Sequence, residues 1–267
     1  MSSKDSFRFC PWDSESLGVP VIRGEITGSH QLPLWEKFSR EQGGALEVVR
    51  CPVECSDAIL SLTAAGFQLM DTLVEYRLSL RRLNLPQLNS DISVRSATNA
   101  DRQAVIAVIR GAFQEAQSHY FNDPRISSAQ RTQVYENWIR RSWEDSGKTE
   151  NILVAEHQGE ITGVGVMKVE GKNGNATLAG VAPNNPSARI YTYRALLIAG
   201  TRRALEQGVL RAYTWTQASN VSIQKIWTRH GWEPHRYSHT FHRWRGSDKK
   251  KRRPEMDAPE RTVGLRR

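Results

Sequence analysis

Along the first eighty residues, short apolar runs alternate with turn residues. Phe7, Phe9 and Trp12 open the pattern, followed by Pro20-Val21-Ile22, a helical spacing over 31–42 and Leu46-Glu47-Val48-Val49. An amphipathic stretch over 58–65 then leads through Gly66-Phe67 into a strand-like run from Thr72 to Leu80. The polar segment around Pro86 reads as a linker over 85–90, dividing an amino-terminal domain (1–84) from a second domain (91–246). In the second domain Ile92-Ser93-Val94-Arg95 alternates as a strand. Thr98 to Asp101 caps a helix with apolar positions at Val105, Ile106, Val108, Ile109 and Phe113. Ser118 to Arg125 reads as a loop or broken helix, and 129–142 as a helix. Strands over 151–157 and 161–170 flank a Gln158-Gly159-Glu160 turn. A strand over 176–181, a helix over 191–207, a strand over 210–216, a helix over 221–229 and a strand over 236–244 complete the order β-α-α-β-β-β-α-β-α-β.

The two domains share a weak repeat. Ala65-Gly66-Phe67 is followed by Tyr76, and His230-Gly231-Trp232 by Phe241, each aromatic falling ten residues after its glycine. Both copies read as helix, glycine cap, aromatic, strand. The first domain is therefore expected to be a truncated relative of the second, packed beside it.

Composition narrows the class. With 39% hydrophobic and 24% charged residues in 267, the chain has ordinary globular usage. No window approaches eighteen consecutive apolar residues, and the amino terminus is polar, so neither a membrane span nor a secretory signal is expected. The expected location is the cytoplasm. Cys10, Cys51 and Cys55 are too few and wrongly spaced for a zinc or disulfide scaffold. His235, His239 and His242 cannot all share one strand face, which disfavours a metal site there. The net charge of +9 is densest in a tail over 247–267, where eight basic and four acidic residues leave +4. That segment reads as disordered. Without interleaved aromatics, its Lys249–Arg253 run fits a solubilising tail better than a nucleic-acid contact.

Three motifs then make the pattern specific. These are Ile92-Ser93-Val94-Arg95-Ser96-Ala97-Thr98, Ala179-Gly180-Val181-Ala182-Pro183, and Thr216-Gln217-Ala218-Ser219-Asn220 with Gly231-Trp232. In this order they resemble the GNAT N-acyltransferase superfamily. Trp12-Asp13-Ser14-Glu15 with Gly18, Phe113 to Arg125, and Phe241-His242-Arg243-Trp244 extend the resemblance to the dTDP-fucosamine acetyltransferase branch over about 7–245. The resemblance implies an α+β fold: a mixed, mostly antiparallel sheet flanked by helices, preceded by a smaller GNAT-like α/β domain. It further implies acetyl-CoA as acyl donor, no metal, and a small-molecule primary amine as acceptor, probed first as the amine of an amino-sugar nucleotide. A homodimer is compatible with it. The donor is expected in a V-shaped opening between the strands ending at Ala182 and near Thr216. Backbone hydrogen bonds there would come from Ala179, Gly180 and Val181, and phosphate contacts from Ser187, Arg189, Ile190, Tyr191, Thr192, Tyr193 and Arg194 at a helix start.

Two departures from that family bear on chemistry. Its phosphate turn carries glycines, whereas Ala188-Arg189-Ile190-Tyr191-Thr192-Tyr193 has none, so the tyrosines must point away or reshape the loop. Seven residues after Asn220 the family carries a tyrosine that protonates the departing thiolate; Trp227 stands there. An indole N–H donates a hydrogen bond but no proton. Trp227 can steady the thiolate while water protonates it, or Tyr191, Tyr193, Tyr213 or His230 takes over; a weak or inactive CoA-binding module is the alternative. Asn220 is expected to cap a helix and touch the donor. His119, among polar neighbours, is the candidate general base. Tyr120 and Asn122 are expected to face the acceptor together with Thr216 and Gln217, while Asp123 and Arg125 form a local ion pair.

Overall fold

The computed structural model describes residues 7–81, 85–86, 91–114, 118–144, 150–183 and 186–246, the side chains of 150, 186 and 187 excepted. The remainder of the 85–90 linker and the 247–267 tail lie outside them.

Among the described residues ten strands form one sheet. In the amino-terminal part β1 (Phe7–Phe9), α1 (Pro11–Leu17), β2 (Val21–Glu25), α2 (Leu32–Gln42), β3 (Leu46–Pro52), α3 (Ser56–Ala64) and β4 (Gln68–Ser79) follow one another. Then come β5 (Ile92–Ser96), α4 (Arg102–Phe113), α5 (His119–Asn122), α6 (Ser128–Glu144), β6 (Glu150–His157), β7 (Glu160–Glu170) and β8 (Asn173–Val181). The chain continues through α7 (Pro186–Glu206), β9 (Arg211–Gln217), α8 (Val221–Arg229) and β10 (Glu233–Trp244). The local signals act as read: Thr98 and Asp101 form a reciprocal capping box ahead of α4, and Gln158-Gly159, both at positive φ, turn the β6–β7 hairpin. The helix α1 is an addition to the sequence reading, and α5 falls where a loop or broken helix is expected. Each is a short segment with too few turns for a 3.6-residue period to register.

Spatial order is β1-β2-β3-β10-β4-β9-β8-β7-β6-β5. The last strand does not stay beside β9. It crosses to lie between β3 and β4, while β4 lies against β9. The repeat explains this exchange. Gly66 and Gly231 cap equivalent helices in the left-handed conformation. Leu73, seven residues after Gly66, pairs directly with Ser238, seven after Gly231. Equivalent positions pairing with each other place a pseudo-twofold axis between β4 and β10, so one sheet runs through both parts of the chain.

Helices cover both faces. The helices α4 and α6 pack Val105, Ile106, Ile109 and Ile139 on Ile152, Val154, Val164, Val166 and Leu178. The opposite face carries α7 and α8 over Val74, Tyr76, Leu78 and Ala212, and beyond them α2 and α3 over Ile22, Val49 and Phe241. Close approach of α7 depends on Gly163, where an added Cβ would stand 2.5 Å from Thr192 Cγ2 and 2.9 Å from Leu196 Cδ1. Gly163→Ala is expected to cost about 1–3 kcal/mol by overpacking, read as a lowered denaturant midpoint at unchanged slope.

Candidate active site

The parallel pair β8 and β9 is joined only at its beginning. Asn173 to Ala176 pair with Arg211 to Thr214 and no further, although β8 runs on to Val181 and β9 to Gln217. The cause is local. Between Leu178, opposite Val166, and Ala176, opposite Met167, β8 carries one extra residue, Thr177, and this bulge bends it away from β9. Thr214 Oγ1 donates to the Ala176 carbonyl at 3.2 Å, closing the ladder where the strands part. Past that point β8 is held from its other edge by β7, with Gly163 opposite Val181 and Gly165 opposite Ala179. Its backbone toward β9 faces an opening rather than a strand.

On the α7 side, Ala179 is exposed, whereas Gly180 is buried against Ile109, Ala112 and Phe113 of α4. The first turns of α7 stand over the opening. Arg189, Ile190 and Tyr191 point to solvent, the last two 53% and 57% exposed, and Thr192 is buried over Gly163. Ser187 contributes helical backbone. Tyr193 turns inward, and its hydroxyl accepts the Trp227 indole N–H at 2.9 Å. Burial raises the Tyr193 pKa, which keeps the phenol protonated and makes it a weaker acid than an exposed tyrosine. Tyr191 points away from the loop, the first of the two alternatives open to the tyrosines. Asn220 caps α8, accepting from Ile223 N at 3.5 Å, and donates to Thr216 Oγ1 at 3.0 Å. Gln217 pairs with Leu73 at the end of β9. Between α7, α8 and β4 runs a cavity of about 490 Å³, bounded by apolar Ile190, Leu197 and Trp232 and by the bases Arg194, Arg229 and His230. Arg194 Nε is buried without a partner among the described residues.

On the opposite face, α5 and β10 build a chain of three side chains. His242 Nδ1 lies 2.8 Å from Asp123 Oδ2, and His242 Nε2 lies 2.8 Å from His119 Nδ1. Burial alone would raise the Asp123 pKa. Hydrogen bonds from His242, the Trp244 indole and the Arg125 backbone instead hold it below the usual carboxylate range. The carboxylate therefore accepts from His242 Nδ1–H. Burial lowers both histidine pKa values, with His242 and nearby Arg23 and Arg50 adding to the effect at His119. Two neutral rings then fix the tautomers. His242 Nε2 accepts from His119 Nδ1–H, and His119 Nε2 is left with a lone pair and no hydrogen-bond partner among the described residues.

The structure sets His119 against two partners that sequence reasoning did not connect with it. His242 was weighed only as a metal ligand, and Asp123 only as the partner of Arg125, a contact that exists at 3.3 Å beside the others. Tyr120 corrects the sequence expectation. It is 4% exposed, donates to Asp13 Oδ1 at 3.0 Å and accepts from Arg23, so it braces α5 on α1 and β2 instead of facing an acceptor. Asn122 is exposed, with its amide donating to the Met70 carbonyl at 2.6 Å, which ties α5 to β4. His239 bonds Thr72 on one face while His242 occupies the other. No group of three potential ligands is placed to hold a metal among the described residues, and no described helix is long and apolar enough to cross a membrane.

No family model and no curated protein matches the chain. Solved structures match it in fold at low sequence identity. A GCN5-related N-acetyltransferase from Sphaerobacter thermophilus superposes with a TM-score of 0.62 at 12% identity over 89% of this chain and 76% of that one. One from Kribbella flavida gives 0.59 at 10% identity over 91% of each chain. A tandem GNAT protein from the clavulanic acid biosynthesis pathway gives 0.59 at 14%, covering 86% of this chain and 76% of that one. With its mostly antiparallel sheet and helices on both faces, the chain has the α+β fold of the GNAT N-acetyltransferases.

Proposed function

We propose that the protein is an acetyl-CoA-dependent N-acyltransferase working in the cytoplasm, which transfers an acetyl group to a small-molecule primary amine by direct attack on the thioester. The observation that carries this reading is the opening of β8 from β9 beyond Ala176 and Thr214, which leaves extended backbone free at the foot of a helix N-terminus. The residues present fit the donor. Backbone at 177–181 can bond an amide-containing arm, the start of α7 suits a diphosphate, and the basic cavity beside Arg194, Arg229 and His230 suits an adenosine bearing a phosphate. Backbone donors along helix and strand stand in for the missing glycines, because Tyr191 turns outward while Ile190 borders the cavity.

Bound acetyl-CoA supplies an activated acyl carbon and a thiolate leaving group. The chain supplies proton handling from both faces of the sheet. A histidine with a lowered pKa is a poor base toward a free alkylammonium but a competent one toward nitrogen that has begun to bond to carbon. His119 Nε2 takes that proton, with Asp123 steadying the charge through His242. On the other face the Tyr193 hydroxyl, held by Trp227, gives its proton to sulfur. Because Trp227 occupies the family's tyrosine position, the acid has moved from α8 to α7. The acceptor class to assay first is the amine of a nucleotide-linked amino sugar, which the resemblance over 118–125 suggests.

The test is acetyl-CoA titration followed by thermal shift, then free-thiol release over a panel of amines. A shift with thiol release supports the reading; a shift without release on any amine leaves a binding module; no shift removes both. Within this scheme Tyr193→Phe is expected to lower turnover by about 10²–10³-fold while acetyl-CoA still raises the melting temperature. Trp227→Phe, which removes the bond to the phenol and part of the ring packed on Tyr76 but leaves the phenol in place, is expected to cost less turnover. Equal turnover for Tyr193→Phe and the parent protein would move the acid elsewhere.

A further inference from the structure

One row of polar side chains on the α5 face takes no part in the proton relay. Thr240 on β10 pairs with Arg50 of β3 on one side and with Asp71 of β4 on the other, so the three stand abreast. Adjacent strands place them about 5 Å apart at the backbone. Asp71 is 9% exposed and Thr240 0%, yet both Asp71 oxygens and the Thr240 hydroxyl lack any hydrogen-bond partner among the described residues. The half-buried Arg50 guanidinium likewise makes no hydrogen bond or ion pair among them. Neighbouring charges are already committed: Arg23 to Asp13 and Tyr120, and Asp123 to His242, Trp244 and Arg125.

A buried carboxylate with both oxygens empty and a guanidinium one strand beyond its neighbour, not paired with each other, are costly unless something binds them. Their complement is specific. The carboxylate calls for an ammonium, the guanidinium for an anion, and the hydroxyl between them for a polar group. Position agrees with this. Asp71 lies two residues before Leu73, which pairs with Gln217 at the end of β9, where the opening lies. Through electrostatics the row also borders the relay, with Arg50 acting on His119 and Asp71 on His242.

We propose that Arg50, Thr240 and Asp71 form the acceptor subsite, and that the acceptor is a small zwitterion whose ammonium rests on Asp71 and whose own anionic group rests on Arg50. The fate of the bound amine rests on the acyl-transfer reading, in which the ammonium first gives one proton to solvent and the neutral amine attacks; its binding does not. Nothing in the row selects carboxylate over phosphate, so two matched probe sets separate those sources: free amino acids against their amides, and glucosamine 1-phosphate against glucosamine; glucose 1-phosphate, which lacks the amine, reads the requirement for the ammonium.

Binding to the full chain is measured by calorimetry and thermal shift without acetyl-CoA, and thiol release is measured with it. At least one zwitterion is expected to bind tenfold or more tighter than its partner lacking the anion. Asp71→Asn is expected to abolish the requirement for the amine and Arg50→Gln the requirement for the anion. Asp71→Asn is also expected to raise the melting temperature of the free protein, since it removes an unpaired buried charge; a variant that binds nothing but melts higher is folded and supports the subsite. Equal binding within both probe pairs, or unchanged selectivity in both variants, overturns the proposal. So does acetylation of amines regardless of any anionic group, an outcome that leaves the acyl-transfer reading standing. If acetyl-CoA causes no shift, that reading fails, and zwitterion binding alone still decides the subsite.

Discussion

His119→Ala is expected to lower the rate of acceptor-dependent thiol release by about 10²–10⁴-fold, the range over which a positioned acid or base contributes. The KM for acetyl-CoA should stay unchanged, because the helices that would hold the donor lie on the other face of the sheet. Truncation also leaves His242 Nε2 without its donor, so loss of rate alone would not separate chemistry from packing. Two readouts do. Added imidazole should restore part of the activity by entering the space the side chain vacates. Beside the limb set by the acceptor's own ammonium, kcat/KM of the parent protein should show a second acid limb below pH 6.5, the ordinary histidine value, which His119→Ala loses, because burial holds both rings neutral. The same shift carries a stability consequence. Both folded-state pKa values lie below that of an unfolded histidine, so on acidification the unfolded chain takes up protons first. The pair's contribution is complete above pH 6.5 and is lost as the pH falls from there toward the folded values, at up to about 1.4 kcal/mol per pH unit for each ring. Denaturation midpoints of His119→Ala and the parent protein should therefore diverge less at pH 5 than at pH 8. A low-pH limb unchanged in His119→Ala, or no rescue by imidazole together with a raised KM for acetyl-CoA, would make His119 a packing residue.

Local order was legible wherever a period had room to develop. The capping box of Thr98 and Asp101, the Gln158-Gly159 hairpin and the spacing of α7 each follow from neighbours a few residues apart. Pairing across the two parts of the chain was not legible in the same way. Gly66 and Gly231 announced a repeat, but which strand β10 would join depends on Phe241 and Thr240 meeting β3 and β4, contacts separated by more than 160 residues. The relay was hidden for the same reason, since His242 and Asp123 come together only once β10 has crossed. His119 stood out by its polar neighbours, whereas Tyr120 beside it, with identical local credentials, is committed to Asp13 and Arg23. Adjacent residues on one turn point in different directions, and composition alone does not say which direction is inward. The opening itself hinges on a single extra residue, Thr177, that leaves no mark on a hydropathy pattern.

Glu47→Ala is expected to destabilise the protein by about 3–5 kcal/mol, the cost of leaving buried charges without their partner. Glu47 is fully buried and accepts from the Trp35 indole at 2.8 Å, Ser39 Oγ at 2.6 Å, Arg243 at 2.6 Å and Arg245. The two arginines lie at the end of β10 and just beyond it, and Arg243 also spans the Phe67 ring and bonds the Ala65 carbonyl at 3.0 Å. The cluster thus fastens β10 to β3 and α2 in the amino-terminal part. Glu36, which meets both arginines, can retain one of them when Glu47 is lost, but it is partly exposed and does not reach the Trp35 indole. Since β10 pairs with β3 on one edge and β4 on the other, and β4 in turn supports β9, the loss should be felt on both sides of the sheet. Urea unfolding of Glu47→Ala should therefore remain one transition, shifted to lower denaturant with the slope of the parent protein. Amide exchange should quicken together in β3, β10, β4 and β9. Two transitions, with strands β6 to β8 protected while β1 to β3 open, would mean that the two parts fold independently and that the exchanged strand decorates their boundary without coupling them. Glu47→Gln is the control: it keeps an acceptor for the indole and the serine while removing the charge, so it should fall between the parent protein and alanine if the arginines, rather than packing volume, carry the effect.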